Sequence, residues 1–332
     1  MSEESKGRAR EFHVGRDEMG SRLDLFLGEK LACSRGEVRR MLRAGLVCLD
    51  GKPVDERAKG AVLACGQHLE LADDRPAGAL KACPDPEMPL SILGEGPGWV
   101  AVDKPAGTPV HPLSETEQGT LLNALIARYP QIHGVGTGEG EGGLRSGVVH
   151  RLDLDTSGVI LFATEETRWQ QLREAFKAHR VDKRYRVLVA GRLSGQASEA
   201  VSLRVARHRP ALVKVVEPET AGAFPTRLAW RVLEAFGTAS LLEVQLETGF
   251  LHQVRVTLAH LGHPVLGDSL YGKPSSAQPA RQMLHAASLA VGDNGAPSSE
   301  SRGNEKLDEI RVDSGDPADF AAALNALREG GS

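Results

Sequence analysis

The segment HRLDLDTSG, His150 to Gly158, sets a histidine, an arginine and two aspartates between the apolar runs GVV and VILFAT. Asp-Thr-Ser-Gly is good turn chemistry, since short polar side chains bond back to the nearby backbone and Gly accepts unusual dihedrals. A turn has no need of His-Arg before it. A short loop held between rigid elements is also where reactive groups are well placed. Asp153 has a cation beside it in Arg151. An aspartate near an arginine stays ionised, which suits a nucleophile or a base better than an acid. Asp153 and Asp155 could each be turn formers. Two further polar clusters accompany this one. TGFLHQVRVTLAHLGHPVLGDSLYG (248–272) carries His252, Gln253 and Arg255 at the start of a helical pattern, and VDKRYRVLVAG (181–191) carries Lys183 and Tyr185 ahead of a strand.

The elements that must position these residues follow from periodicity. Residues 1–20 are polar and read as a mobile arm. In SRLDLFLGEKL, Leu23, Phe26, Leu27 and Leu31 recur at helical spacing. Ser34 with Glu37 three residues on is a capping-box pattern for a second helix, ended by Gly45. LVCLDGKPV predicts strand, turn, strand with Asp-Gly at the turn, and HLELA a further strand. Residues 21–75 are thus a small α/β unit. A Pro/Ala/Asp-rich linker spans 76–88. In the larger unit, 89–328, strand patterns recur at WVAVD, SGVVH, GVILFAT, YRVLVAG, AVSLRVA, LVKVVE, RLAWRVLEAF, ASLLEVQLE and HPVLG. Helical patterns interrupt them at TLLNALIARY, ETRWQQLREAFKAH and HQVRVTLAHLG, and DPADFAAALNALREGG closes the chain as a helix. The order lacks regular βαβ alternation, so the fold class is α+β with a mixed, mainly antiparallel sheet.

Composition narrows the partners. With 332 residues, 41% hydrophobic and 25% charged, the chain reads as globular with two domains. No run approaches the ~18 apolar residues of a membrane span, and MSEESKGRAR lacks a secretory apolar core. A cytoplasmic protein without a membrane partner is expected. Four cysteines without a C-x-x-C pair argue against a zinc site. GVGTGEGEGG (134–143) lacks the Gly-Lys-Ser/Thr ending of a phosphate loop and carries two glutamates, so it reads as a plain loop with no nucleotide cofactor. The net charge of −4 hides an uneven distribution: residues 293–332 hold nine acidic and four basic residues, a balance of −5. SRGEVRRMLR (34–43) has four Arg against one Glu, and residues 144–192 have ten basic against six acidic residues. Such patches matter more than the total.

These motifs resemble those of the RluA-type pseudouridine synthases. HRLDLDTSG is similar to that family's H-R-L-D-x-x-T-S-G signature. VAVDKPAGTPVHP (100–112), KRYRVLVAG, LHQVRVTLAHLGHPVLGDSLYG, LHAASL (284–289) and DPADF (316–320) resemble its other segments in the same order. Residues 21–72 resemble the alpha-L RNA-binding domain of ribosomal-protein type. One departure stands out: the family's G-R-T-H-Q-I-R reads Gly249-Phe250-Leu251-His252-Gln253-Val254-Arg255 here.

The resemblance implies isomerisation of uridine to pseudouridine in RNA. The N-glycosidic bond breaks, the uracil turns over and carbon five rejoins the ribose. It implies no metal and no cofactor. Asp153 would be the catalytic carboxylate, attacking the ribose or taking its proton at carbon two. Arg255 would hold it, and Tyr185 would stack on the flipped base. Arg151, His150, Lys183, His252 and Gln253 would contact RNA. In the small unit, Arg35, Arg39, Arg40 and Arg43 would contact phosphates. Large-subunit (23S) ribosomal RNA is the favoured substrate, with transfer RNA as the alternative, and a monomer is the default. Two rivals remain at this level. A two-carboxylate glycoside hydrolase would use Asp153 with Asp103 or Asp268. A non-catalytic RNA-binding assembly protein would use the basic patches alone.

Overall fold

The computed structural model describes residues 10–71, 81–136, 143–208, 211–272, 279–292 and 309–330, apart from 32, 34 and 44. In the small unit, β1 (Arg10–His13), β2 (Val47–Leu49), β3 (Lys52–Pro53) and β4 (His68–Leu71) form an antiparallel sheet in the order β1-β4-β2-β3. Two helices, α1 (Leu23–Lys30) and α2 (Arg35–Arg43), cover it. Leu23, Phe26 and Leu27 of α1 meet Val38 and Leu42 of α2 over Val47, Leu69 and Leu71. The Asp-Gly turn forms as expected, with Asp50 and Gly51 both at positive φ, the geometry a two-residue hairpin demands. Residues 10–20 do not read as the expected arm: residues 10–13 pair with β4, and Val14 is buried in the small core, while residues 1–9 lie outside the described residues. The expected capping residue, Ser34, lies outside the described residues.

The large unit is built on one sheet. Its strands are β5 (Ser91–Gly96), β6 (Trp99–Lys104), β7 (Ser157–Ala163), β8 (Val181–Ala190), β9 (Gln196–His208), β10 (Ala211–Val216), β11 (Phe224–Ala235), β12 (Ala239–Leu246), β13 (Leu284–Val291) and β14 (Ile310–Asp313). They run in the order β10-β9-β11-β12-β8-β13-β7-β6-β5, with β14 paired to β13. All pairings are antiparallel except β7 with β13. Helices cover both faces. Every residue of β7 is buried. Val159, Leu161 and Ala163 pack with Trp169 and Leu172 of α4 (Glu166–Lys177), and Ile160 and Phe162 with Leu121 and Leu125 of α3 (Leu121–Arg128). Farther along, α5 (Gln253–His260) sets Val254 and Leu258 on the Tyr185–Val187 face, while α6 (Ala318–Glu329) packs Phe320 and Leu324 on the Leu188 face.

Three boundaries differ from the sequence reading. SGVVH is not a strand: only Val148 bridges, to Phe162, and Gly147 turns the chain at φ 70. Its apolar residues are buried by helix packing instead of a ladder. HPVLG likewise makes a single bridge, Val265 to Val189. The described end of the expected linker belongs to the large unit, since Ala82 is buried against α3 and the Asn123 amide donates to the Cys83 carbonyl at 2.6 Å.

Candidate active site

The loop 150–156 enters β7, and its geometry follows from which side chains it buries. Leu152 points inward and packs against the clusters on both sides of the loop, while Arg151 and Leu154 face outward. Asp153, between them, is partly exposed. The turn closes through the Thr156 amide, which donates to the Asp153 carbonyl at 3.2 Å. Lys104, at the end of β6, is fully buried beneath it. Its Nζ donates to the carbonyls of Leu154 (2.6 Å), Thr156 (2.8 Å) and Pro105 (3.0 Å). Burial pushes this lysine down to about 8, against the pull of Asp155 and Asp153. From the other side the Arg281 guanidinium donates to the Asp155 carbonyl and the Ser157 hydroxyl, and the Gln282 amide to the Thr156 hydroxyl. The loop is therefore held by donors from two separate segments, Lys104 on one side and Arg281–Gln282 on the other.

α5 brings the counter-charge. The side chain of Arg255 is 9% exposed and that of Asp153 is 20% exposed, and Nη1 donates to Asp153 Oδ2 at 2.9 Å. Nε and Nη2 clamp Asp268 in a two-point contact at 2.7 and 2.8 Å. Such a fork fits a planar guanidinium and not an ammonium. Burial opposes the charge on Arg255, but the two carboxylates outweigh it and raise its pKa. Burial likewise works against the Asp268 carboxylate; Arg255 and the amides of Leu270 and Tyr271 overcome it and hold its pKa below the usual range. Tyr271 lies under the guanidinium, 5.3 Å from ring centre to Cζ, and its hydroxyl meets His252 Nδ1 at 2.9 Å. His252 caps α5 in a left-handed conformation (φ 54), with Nε2 4.0 Å from Asp153 Oδ2. Burial lowers its pKa despite Asp153, so the imidazole is neutral at neutral pH. Tyr185, on β8, is buried in the cluster with Val244 and Leu246; burial and Asp153 together raise its pKa, so the phenol stays protonated.

The arrangement is an anionic carboxylate with one oxygen anchored. Among the described residues Asp153 Oδ1 accepts no hydrogen bond, so its lone pairs are open to a substrate atom. A carboxylate so fixed can attack an electrophilic carbon or remove a proton. Among the described residues no group of three or more His, Cys, Asp or Glu side chains could hold a metal ion.

Comparison with known proteins decides the family. An RNA pseudouridylate synthase family model matches residues 98–260, and an S4 domain model matches residues 21–59. The chain is 38% identical over 282 residues to an uncharacterized RNA pseudouridine synthase of Chloroflexus aurantiacus, covering 81% of each. It is 31% identical over 294 residues to ribosomal large subunit pseudouridine synthase D of Yersinia pestis, covering 84% of this chain and 85% of that one. This chain belongs to the RNA pseudouridine synthase family. Its fold is that of the solved human RNA pseudouridylate synthase domain containing 4, at a TM-score of 0.53 and 22% identity over 72% of this chain and 93% of that one.

Within the synthase, Asp153, Arg255 and His252 lie together at one site, and Tyr185 is near enough to feel the charge of Asp153. Three expected RNA contacts turn inward instead. His150 Nε2 accepts from the Leu161 amide at 2.9 Å and its ring stacks on Phe176, which ties the loop to β7. Burial, aided by Lys183, pushes this histidine down to about 3. Gln253 bonds the Arg227 carbonyl, the Thr248 hydroxyl and the Phe250 amide, leaving its amide group spent on the protein. Lys183 donates to the Thr248 carbonyl at 3.2 Å, and burial pushes it down to about 8. In the small unit Arg35 pairs with the buried Asp24 and Arg43 with Glu56. Arg39 is half-buried with its Nε unpartnered, and the Arg40 side chain lies outside the described residues. The sequence reading missed Lys104, Tyr271 and Arg281, and named Asp268 only as the second carboxylate of a rival hydrolase. Lys104, Asp268 and Tyr271 stood in the conspicuous segments DKPAG and GDSLYG, but nothing in spacing says which cation meets which carboxylate.

Proposed function

We propose that this synthase converts uridines of large-subunit ribosomal RNA to pseudouridine, with Asp153 as its catalytic carboxylate. The observation that carries the chemical part is the Asp153 carboxylate bonded through one oxygen to Arg255, with its other oxygen accepting no hydrogen bond among the described residues. A uridine flipped from its stack would set its base on the Tyr185 ring and its ribose against Oδ1. Attack at C1′ breaks the bond to N1 and leaves the ribose on Asp153, which is displaced when C5 bonds C1′; removal of the C2′ proton breaks the same bond, and that proton returns to C2′ when C5 bonds C1′. In either case the C5 proton leaves and N1, which carries none in uridine, takes one up, so no electrons are gained or lost. Both routes need the anion in the same place. Arg255 keeps it there, and Tyr185 and His252 stay neutral around it. Arg151, exposed at the loop's lip, would meet the backbone or fill the gap in the stack. A single chain supplies every group, and the place of work would be the cytoplasm, where ribosomes are assembled.

Ribosomal RNA as the substrate is favoured by the S4 match and by relatives named as ribosomal large subunit synthases. Pseudouridine mapping of ribosomal and transfer RNA from cells with and without the gene tests it. Loss of one or more large-subunit positions is expected; loss confined to transfer RNA would move the substrate there. Replacing the gene with Asp153→Asn should reproduce the deletion pattern, and retained pseudouridine would remove Asp153 from the chemistry.

A further inference from the structure

The departure at Phe250 and Leu251 creates a surface that the proposed chemistry does not use. Phe224, the first residue of β11, is 46% exposed, and its ring stacks on Phe250 with centroids 5.3 Å apart and planes 21° from parallel. Leu251 extends the patch at 36% exposure. Exposed aromatic pairs are costly to leave in water unless something covers them. The pair is held in place. Gln253 bonds the Phe250 amide through Oε1 and the Arg227 carbonyl of β11 through Nε2, fastening the loop to the strand three residues from Phe224.

The shelf is continuous with the site. Alternation puts Phe224 on the same sheet face as Thr226, Leu228 and Trp230. Trp230 pairs with Val244, which pairs with Tyr185, so Phe224 and Tyr185 share a face. Phe250 packs in a cluster with Tyr271, which lies under Arg255. It is two residues from His252, whose ring approaches Asp153. Two cations near it already have partners: Arg227 Nε lies 3.5 Å from Glu247, and Lys183, beside Gly249, donates to the Thr248 carbonyl. What fits is a flat, uncharged ring attached to the same chain as the target.

We propose that Phe224 and Phe250 form a base-stacking subsite for an unpaired nucleobase of the RNA, adjacent in the strand to the uridine held at Asp153. This rests on the assignment of Asp153 above. Stacking on an aromatic ring favours any base, so the subsite would admit single-stranded flanks and exclude a paired one.

The test uses the full-length protein and a decauridylate carrying one 5-iodouridine, which photo-crosslinks to aromatic rings it stacks on. Crosslinked peptides should contain Phe224 or Phe250. Phe224→Ala should weaken decauridylate binding roughly 5- to 150-fold and raise KM more than it lowers kcat. Phe224→Trp should restore binding. If the alanine variant fails to fold, Phe224→Leu keeps the apolar bulk and removes the ring, and should show the same loss. Crosslinks mapping only elsewhere, or unchanged affinity in both variants, would overturn the subsite. Activity of Asp153→Asn reports separately on the underlying assignment: if that variant keeps forming pseudouridine, the assignment fails whatever the crosslinks show.

Discussion

Two carboxylates share one buried guanidinium, and only one of them reaches solvent. Asp268 is wholly buried and takes two of Arg255's donors, so its task is to fix the arginine that fixes Asp153. Removing one partner of a buried pair costs about 3–5 kcal/mol, because the other charge is left without compensation. Asp268→Asn should therefore lower the urea midpoint and, by loosening Asp153, slow single-turnover pseudouridine formation on the order of 10²-fold. Arg255→Lys should lose as much activity, since a point charge cannot bond both carboxylates. The pH dependence has a definite sign. Asp268 has its pKa depressed on folding, so its stabilisation is present above the unfolded value of about 4 and fades as pH falls. The stability gap between wild type and Asp268→Asn should narrow between pH 7 and pH 3; a gap that widened would contradict the ion-pair account. Asp153, Arg255 and Tyr185 could be named as candidates because each stands in a motif whose order along the chain is informative. The Asp268 contact was not, because thirteen residues and two turns separate it from Arg255.

At the level of elements, the site depends on β7 lying against β13. Their parallel contact has two registered pairs, Ser157 with His285 and Gly158 with Ala286. Gly158 sits at φ 111, and a Cβ there would lie 2.2 Å from the Ala286 carbonyl oxygen. Gly158→Ala should cost about 2–5 kcal/mol from strain and overpacking, read as a lower denaturant midpoint. An unchanged midpoint would show the strands to be free to separate. The loop's other tie is His150. A histidine pushed to about 3 on folding is neutral when folded but protonated when unfolded between those values. Its contribution is complete above about pH 6.5 and is lost as pH falls towards 3. Thermal unfolding of His150→Gln should lack that part of the acid destabilisation, of order a few kcal/mol. Most strands were legible from alternation with β-branched residues. SGVVH was misread because a fully buried apolar run looks alike whether a ladder or packed helices cover it.

Across the described residues, the small unit has its own core, and the clusters that bury the large sheet draw no residue from it. The Pro/Ala/Asp-rich stretch from residue 72 is where the sequence places a boundary. Total charge was less informative: −4 describes neither the site nor the small unit, because the acidic excess lies in residues 293–332. Nor does counting arginines on α2 measure RNA contact, since Arg35 and Arg43 already have carboxylate partners. The small unit should therefore add affinity through few phosphates. Deleting residues 1–75 should leave the remainder cooperatively folded and weaken binding to large-subunit ribosomal RNA transcripts. The slope of log K against log salt should become shallower by roughly one unit for each phosphate contact removed. Filter binding across a salt series measures both quantities. Equal affinity and equal slope with and without the small unit would show that the large unit alone carries the RNA.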